Sequence, residues 1–312
     1  MRLNRLDLNL LVALDALLTE RSISRAAEKV YLSQSSMSHA LRRLREHFED
    51  ELLVQVGRSM ELTPRAQLLR EPVRDVLVRI TTTIDTPPDF NPATSEREFV
   101  LHVSDYSMEV LLPQVFALAE RQNSKVVFKL LPQVGTPTRS LERGEVDLLI
   151  IPEAYCSAEH PTEAVFEENF VLMMWDQSRL AGMEITVDRY AQARHLAMQP
   201  VESVQPAYET WRVQRYGISR RIQVSSYSFT SLPAMLVGSE MIATVHARLA
   251  RNAMKSLPLK TAPLPFEMPP LVQSMQWHKH RTNDPGLTWL RNLVRDASQR
   301  MNTLDAKPEL VA

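Results

Sequence analysis

The stretch Ser22-Ile-Ser-Arg-Ala-Ala-Glu-Lys-Val-Tyr-Leu-Ser-Gln-Ser-Ser-Met-Ser-His-Ala-Leu-Arg-Arg-Leu-Arg45 constrains this chain more than any other. Ser22 or Ser24 can cap a short helix, and Ala26 and Ala27 on that helix allow a partner to approach closely. Val30-Tyr31-Leu32 then makes an apolar turn, and Ser33 caps a second helix. Along the second helix Met37, Leu41, Leu44 and Phe48 recur at spacings of four, three and four, which is one buried stripe. Gln34, Ser38, Arg42 and Arg45 share another face, joined by Ser33, Ser35 and Ser36 in the first turn and flanked by His39 and Arg43. No acid interrupts that face before Glu46. The pattern predicts a helix-turn-helix.

Such a face suits DNA. Glutamine bonds an adenine edge in the major groove, arginine forks onto guanine or holds phosphate, serine and histidine adapt, and the helix N-terminus attracts phosphate. A solvated basic helix in an ordinary bundle is the alternative, and two neighbours weigh against it. Before the motif, Asp7 can cap a helix whose Leu10, Leu11, Leu14, Leu17 and Leu18 form an apolar stripe, the third helix that a helix-turn-helix needs. After it, Leu52–Val56, Gly57-Arg58-Ser59 and Met60–Thr63 read as strand, turn and strand. This wing carries Arg58 at its tip, either on DNA or simply solvated.

With these residues in view, positions 1–66 resemble the winged helix-turn-helix of LysR-type transcriptional regulators. The shared features are Leu6-Asp-Leu-Asn-Leu-Leu11, Ala26-Ala-Glu28, Leu32-Ser-Gln-Ser-Ser-Met-Ser38 and Leu62-Thr-Pro64. The opening run, Trp277-His278 and Asp284-Pro-Gly-Leu-Thr-Trp-Leu290 resemble most the branch of nodulation and aromatic-catabolism activators. One departure is Ser35, where the family usually has proline; its loss is mild because Ser33 still caps the helix. The resemblance implies a homodimer or homotetramer, promoter DNA and RNA polymerase as partners, and a small, aromatic effector.

Net charge is −1, so attraction to DNA has to come from the local cluster on the second helix. The single cysteine, Cys156, excludes an intrachain disulfide framework and suits a reducing compartment; packing is its expected role. The longest apolar runs, such as Val146–Ile151, are too short to span a bilayer, and no basic start precedes a hydrophobic segment. The expected location is cytoplasmic, without membrane contact.

Thr63-Pro64 opens another helix, with Leu69, Val73, Val76, Ile80 and Ile84 on a stripe and Pro72 expected to bend it. By resemblance, this is the dimerisation helix. The expected division is a DNA-binding domain over 1–63, a linker helix over 64–84, a proline-rich hinge over 85–96, an effector domain over 97–300 and a tail over 301–312. Strands expected at Phe99–Val103, Val126–Leu131 and Val146–Ile151 alternate with helices near 106–121 and 137–143, an α/β pattern with a largely parallel sheet. A second set has strands around 165–175, 194–199, 220–225 and 241–245 and helices near 205–216 and 228–237. A strand over 271–279 and a helix capped at Asp284 follow. The resemblance implies two lobes like those of periplasmic binding proteins, the first of 97–163 and 268–300, the second of 164–267.

Ligands of open parallel sheets bind at the carboxyl ends of strands. Ser104-Asp105-Tyr106 ends the first strand, with Ser104 a donor to a ligand oxygen or only a helix cap. Asp105 disfavours carboxylate ligands unless it is turned away or paired. In the second set, Ser228 opens a helix and Phe229 covers a ring or packs in the core. His246 bonds a hydroxyl or sits satisfied in a loop, and Arg248 holds an anion or a structural ion pair. Gln276 and Trp277 complete the effector candidates, on opposite strand faces. No metal, catalytic residue or cofactor is expected: HExxH, Gly-x-Ser-x-Gly and a Gly-Lys-Ser/Thr phosphate loop are all missing. The sequence therefore reads as a sequence-specific, effector-controlled activator and no enzyme. Its rivals are a ligand-independent regulator whose second domain only oligomerises and, more remotely, a solute-binding protein or enzyme.

Overall fold

A computed structural model describes residues 7–85, 88–201 and 206–306. The expected hinge lies partly outside these residues, and so does the tail beyond Ala306. The chain forms two compact units, Met1–Thr86 and Pro87–Ala312.

In the first unit α1 (Leu8–Glu20), α2 (Ile23–Lys29) and α3 (Gln34–Phe48) precede a hairpin of β1 (Leu53–Val56) and β2 (Ser59–Leu62), and α4 (Pro64–Asp85) closes it. Each N-cap is a side chain that satisfies a backbone N–H otherwise left open: Asp7 for Asn9, Ser22 for Arg25, Ser33 for Ser36 and Thr63 for Ala66. The leucines of α1 and Met37, Leu41, Leu44 and Phe48 of α3 meet in one core with Ala26 and Ala27. Helix α4 is joined to α1 by Arg74, which pairs with Asp15 at 2.8 Å and also donates to Thr19.

The expected stripe on α4 divides. Val73 is buried, whereas Val76 is 44% and Ile84 72% exposed, and Leu68 adds a further exposed apolar residue. The helix continues through Pro72. Nearer the wing, Thr63 donates to Asp50 at 2.6 Å, which holds the Asp50 carboxyl below its ordinary range.

The second unit contains two five-stranded mixed sheets. Its elements run β3 (Glu98–Val103), α5 (Asp105–Val110), α6 (Leu112–Arg121), β4 (Val127–Leu131), α7 (Pro137–Glu142), β5 (Leu148–Pro152), β6 (Thr162–Glu168) and β7 (Phe170–Trp175). They continue α8 (Val187–Gln192), β8 (Arg194–Met198), α9 (Tyr208–Arg215), β9 (Arg221–Ser226), α10 (Leu232–Leu236), β10 (Met241–His246), α11 (Ala247–Met254), β11 (Leu259–Ala262), β12 (Leu271–Gln276) and α12 (Pro285–Ala306). Strand orders are β4-β3-β5-β12-β6 and β11-β7-β10-β8-β9.

Several sequence expectations change here. The three strands expected to form a parallel sheet, β3, β4 and β5, do pair in parallel, but each sheet also gains antiparallel strands: β12 runs antiparallel to both β5 and β6, and β7 to both β10 and β11. The single strand over 165–175 is two strands in different sheets, broken at Asn169, and the expected lobe boundary near 164 falls inside β6. The helix over 106–121 is interrupted at Leu111, just ahead of Pro113, which lacks the N–H that a continuous helix would use. The segment expected as strand over 271–279 stops at Gln276, and His278 caps a short 3-10 turn. Helices α8 and α11 and strand β11 have no counterpart among the expected elements; they are short, and α11 follows β10 without a loop.

The Asp284-Pro-Gly motif is structural. Asp284 caps α12 by accepting from the N–H groups of Gly286 and Leu287, and it holds Arg97 through two 2.7 Å bonds. A Cβ on Gly286 would lie 2.6 Å from Arg97 Nη1 and 3.0 Å from Phe90, so glycine permits this approach.

Candidate functional site

Two surfaces carry functional chemistry. On α3, burying Met37, Ala40, Leu41, Leu44 and Phe48 turns Gln34, Ser35, Ser36, Ser38, His39, Arg42 and Arg43 to solvent, with Ser33 exposed at the N-cap. The Arg42 and Arg43 guanidiniums meet no carboxylate among the described residues, so their charge is available to an outside anion. Arg45 is different: it donates to the Glu51 and Leu53 carbonyls at 2.8 Å each and anchors the base of the wing instead of extending the exposed face. Arg58 is exposed in the two-residue turn between β1 and β2, where Gly57 takes the left-handed φ of +61° that the turn needs. Tyr31, 96% exposed with φ +56°, stands beside the N-cap of α3.

The second surface is a cavity of about 650 Å³ in the α/β unit. The Ser104-Asp105-Tyr106 corner, Gln133 to Arg139, Tyr155, Phe170, Met198, Tyr208, Tyr227 to Phe229, His246 and Gln273 line it. Ser104 caps α5, accepting from Ser107 N at 3.2 Å, and also borders the cavity, where its hydroxyl donates to Ser107 Oγ. Asp105 is paired: its Oδ2 accepts from Ser228 Oγ at 2.7 Å, Thr230 N at 3.0 Å and Thr230 Oγ1 at 3.1 Å. These bonds join the corner after β3 to the loop after β9, one from each sheet.

Tyr106, His246 and Phe229 form the aromatic floor. The Tyr106 and His246 rings stack at 3.9 Å, and Phe229 meets His246 edge-on at 4.8 Å. Burial pushes the His246 imidazole down to about 3, so it is neutral at pH 7. Burial, then the nearby Glu168 carboxylate, pushes the Tyr106 phenol up, and its hydroxyl donates to Glu168.

Three effector candidates lie elsewhere. Arg248 does not line this cavity: it donates to Glu168 at 3.0 Å, the Glu167 carbonyl at 2.7 Å and Asn302 at 2.8 Å, a structural ion pair. Gln276 donates to the Ser157 carbonyl at 2.8 Å and Thr162 at 2.7 Å and accepts from Ser157 N at 3.0 Å. Trp277 lies 4.2 Å beneath the Arg291 guanidinium and donates to Thr282. All three hold the fold together outside the cavity.

Sequence reasoning misses the loop after β4, although the rule that singles out Ser104 applies to it equally, and it misses Gln273. Alternation puts Gln273 and Gln276 on opposite faces of β12, but nothing in Leu271-Val-Gln-Ser-Met-Gln276 says which face borders a cavity. Among the described residues no cluster of His, Cys, Asp and Glu is placed to hold a metal, and no helix is long and apolar enough to cross a membrane.

Comparison with known proteins now decides the family. Residues 8–67 match the bacterial regulatory helix-turn-helix proteins of the lysR family, and residues 93–299 match the LysR substrate binding domain. The chain belongs to the LysR family of DNA-binding transcriptional regulators. The regulator is 38% identical to nodulation protein D 1 of Mesorhizobium japonicum over 98% of each chain, and 38% identical to nodulation protein D 2 of Rhizobium tropici over 96% of each. Its fold is similar to that of a probable transcriptional regulator from Pseudomonas aeruginosa (TM-score 0.64, 25% identity, 94% of this chain and 98% of that one). A full-length OxyR variant from the same organism shares the fold at TM-score 0.66 and 17% identity, over 94% of this chain and 95% of that one. The family is one of regulators that bind promoter DNA and small-molecule effectors, not of enzymes.

Proposed function

We propose that the regulator is a cytoplasmic transcription activator controlled by a small, neutral aromatic molecule bound in the 650 Å³ cavity. The observation that carries this reading is the cavity's chemistry: apolar and aromatic walls, a neutral histidine in the floor, and an acid already engaged by three donors. Among the described residues an anion finds no buried cation there, because Arg248 is spent on Glu168 and Arg139, in the lining, is exposed. A planar, uncharged ring system loses little on entering and gains the burial of its faces.

On the DNA side, Ser33, Gln34, Ser35, Ser36, Ser38, His39, Arg42 and Arg43 address the major groove, and Arg58 the backbone beside it. The exposed apolar residues Leu68, Val76 and Ile84 on α4 pair two protomers, and a homodimer or homotetramer then presents two reading helices to an inverted repeat. An effector acts only through unequal affinity for alternative conformations. The Asp105 bonds to Ser228 and Thr230, which tie the two sheets' loops beside the cavity, are where occupancy changes the cost of closure. Altered geometry on the promoter then changes contact with RNA polymerase.

Fluorescence anisotropy on DNA upstream of the regulator's own gene, across a salt series with unrelated competitor DNA, tests the first half. Repeating the titration with phenolic, carboxylate and flavonoid compounds tests the second. Specific, salt-sensitive binding modulated by a neutral aromatic is the expected result. A response confined to carboxylates sinks the proposed effector class.

A further inference from the structure

The cavity floor contains a buried acceptor with nothing to accept. Gln273, on β12, is 3% exposed and lines the cavity. Its Nε2 donates to Ser107 Oγ at 3.0 Å, and Ser107 Oγ also accepts from Ser104 Oγ at 3.1 Å. Its Oε1 is buried and meets no donor among the described residues. An amide oxygen has two lone pairs, and leaving a buried acceptor unmet is costly enough that folded proteins rarely do so. Gln276, three residues on, shows the usual outcome, with both ends of its amide bonded. A second residue of the lining shows the same: His246 is 3% exposed and its Nδ1 has no partner among the described residues.

We propose that this floor is a subsite for a hydroxyl donor, in which an O–H of the bound molecule donates to Gln273 Oε1. The inference rests on the effector-cavity reading above. It narrows the ligand class to neutral aromatics bearing a hydroxyl. A carboxylate is acceptor-only when ionised and would set acceptor against acceptor, with Asp105 and Glu209 also in the lining. An ether fails for the same reason, since its oxygen brings no proton. The neutral His246 ring offers Nδ1 to a second polar atom of the same molecule.

The test uses the full-length regulator and a matched probe set: flavone, its monohydroxy isomers, the corresponding methoxy isomers and a flavone carboxylate, titrated by calorimetry. One hydroxy isomer should bind about tenfold to a hundredfold more tightly than flavone, and methylating that hydroxyl should abolish the gain. In Gln273→Met, which keeps the bulk and removes the acceptor, the hydroxy isomer should fall to within about twofold of flavone titrated on the same variant. Should that variant fail to fold, the hydroxy-against-methoxy comparison on the wild-type protein carries the test alone. A hydroxyl gain that survives methylation or Gln273→Met, or a carboxylate that binds as well as the best hydroxy isomer, overturns the subsite and leaves the cavity reading standing. Absence of binding by every probe overturns the cavity reading and the subsite with it.

Discussion

Arg42 and Arg248 both lie on helices, yet they do opposite things. Arg42 is exposed and meets no carboxylate among the described residues of its own unit, so its charge faces outward. Arg248, with a side chain 15% exposed, is spent on a Glu168 carboxylate only 2% exposed. The same contrast holds for the two surfaces as wholes. The α3 face leaves the Arg42 and Arg43 guanidiniums to water, which solvates them at little cost. The cavity pairs its charges within the fold, because an unpaired charge away from water is far more costly than an exposed one. A charged side chain is therefore free to meet an outside anion on an exposed helix and is already spent beside a buried cavity.

The largest effect that can break this contrast is expected from Arg248→Ala. Stranding Glu168 should cost about 3–5 kcal/mol in chemical denaturation, while the folded fraction still binds cavity probes as the wild type does. Unchanged stability with lost probe binding would make Arg248 a ligand group after all. Next comes Arg42→Ala, expected to weaken operator binding about tenfold to a hundredfold in anisotropy titrations. Its unfolding midpoint should stay put, and a shifted midpoint would mean that the arginine has a structural partner.

Acid offers a third probe, since burial holds His246 down at about 3 and His195 at about 4 against an ordinary 6.5. Only the unfolded chain takes up these protons between the depressed and ordinary values. Stability should thus fall as pH drops below about 6.5, by up to about 1.4 kcal/mol per pH unit for each histidine. Urea midpoints from pH 7 to 4.5 read this slope, and His246→Phe should make it shallower. The smallest effect is expected from Arg58→Ala: a salt dependence of DNA binding reduced by about one counterion, with the loss equal on specific and unrelated sequences. A sequence-dependent loss would instead place Arg58 on base edges.

The helix-turn-helix was legible because it is local. A serine three residues ahead of the N–H it caps, and apolar residues at spacings of four, three and four, are properties of one helix and survive any tertiary context. Its one misreading, Arg45, turned on a wing eight residues away, whose carbonyls claimed a side chain that periodicity had placed outward. The α/β unit was legible only in outline. Its strands alternate with helices, but the break at Asn169 that sends β6 and β7 into different sheets has no proline or glycine to mark it.

By itself, then, the sequence determined the extent and exposed face of α3, the wing, the α/β class of the second unit and the strand-end corner at Ser104-Asp105-Tyr106. Only the tertiary structure decided which polar side chains remain available to a ligand. Gln273 and Gln276 have the same chemistry on the same strand. Ser157, His160 and Thr162, more than a hundred residues away in the chain, bond one of them fully, and the other, which lines the cavity, keeps an acceptor that no described residue meets. Hydrogen-bond satisfaction in a buried site depends on partners that come together only through the fold, so no local pattern records it.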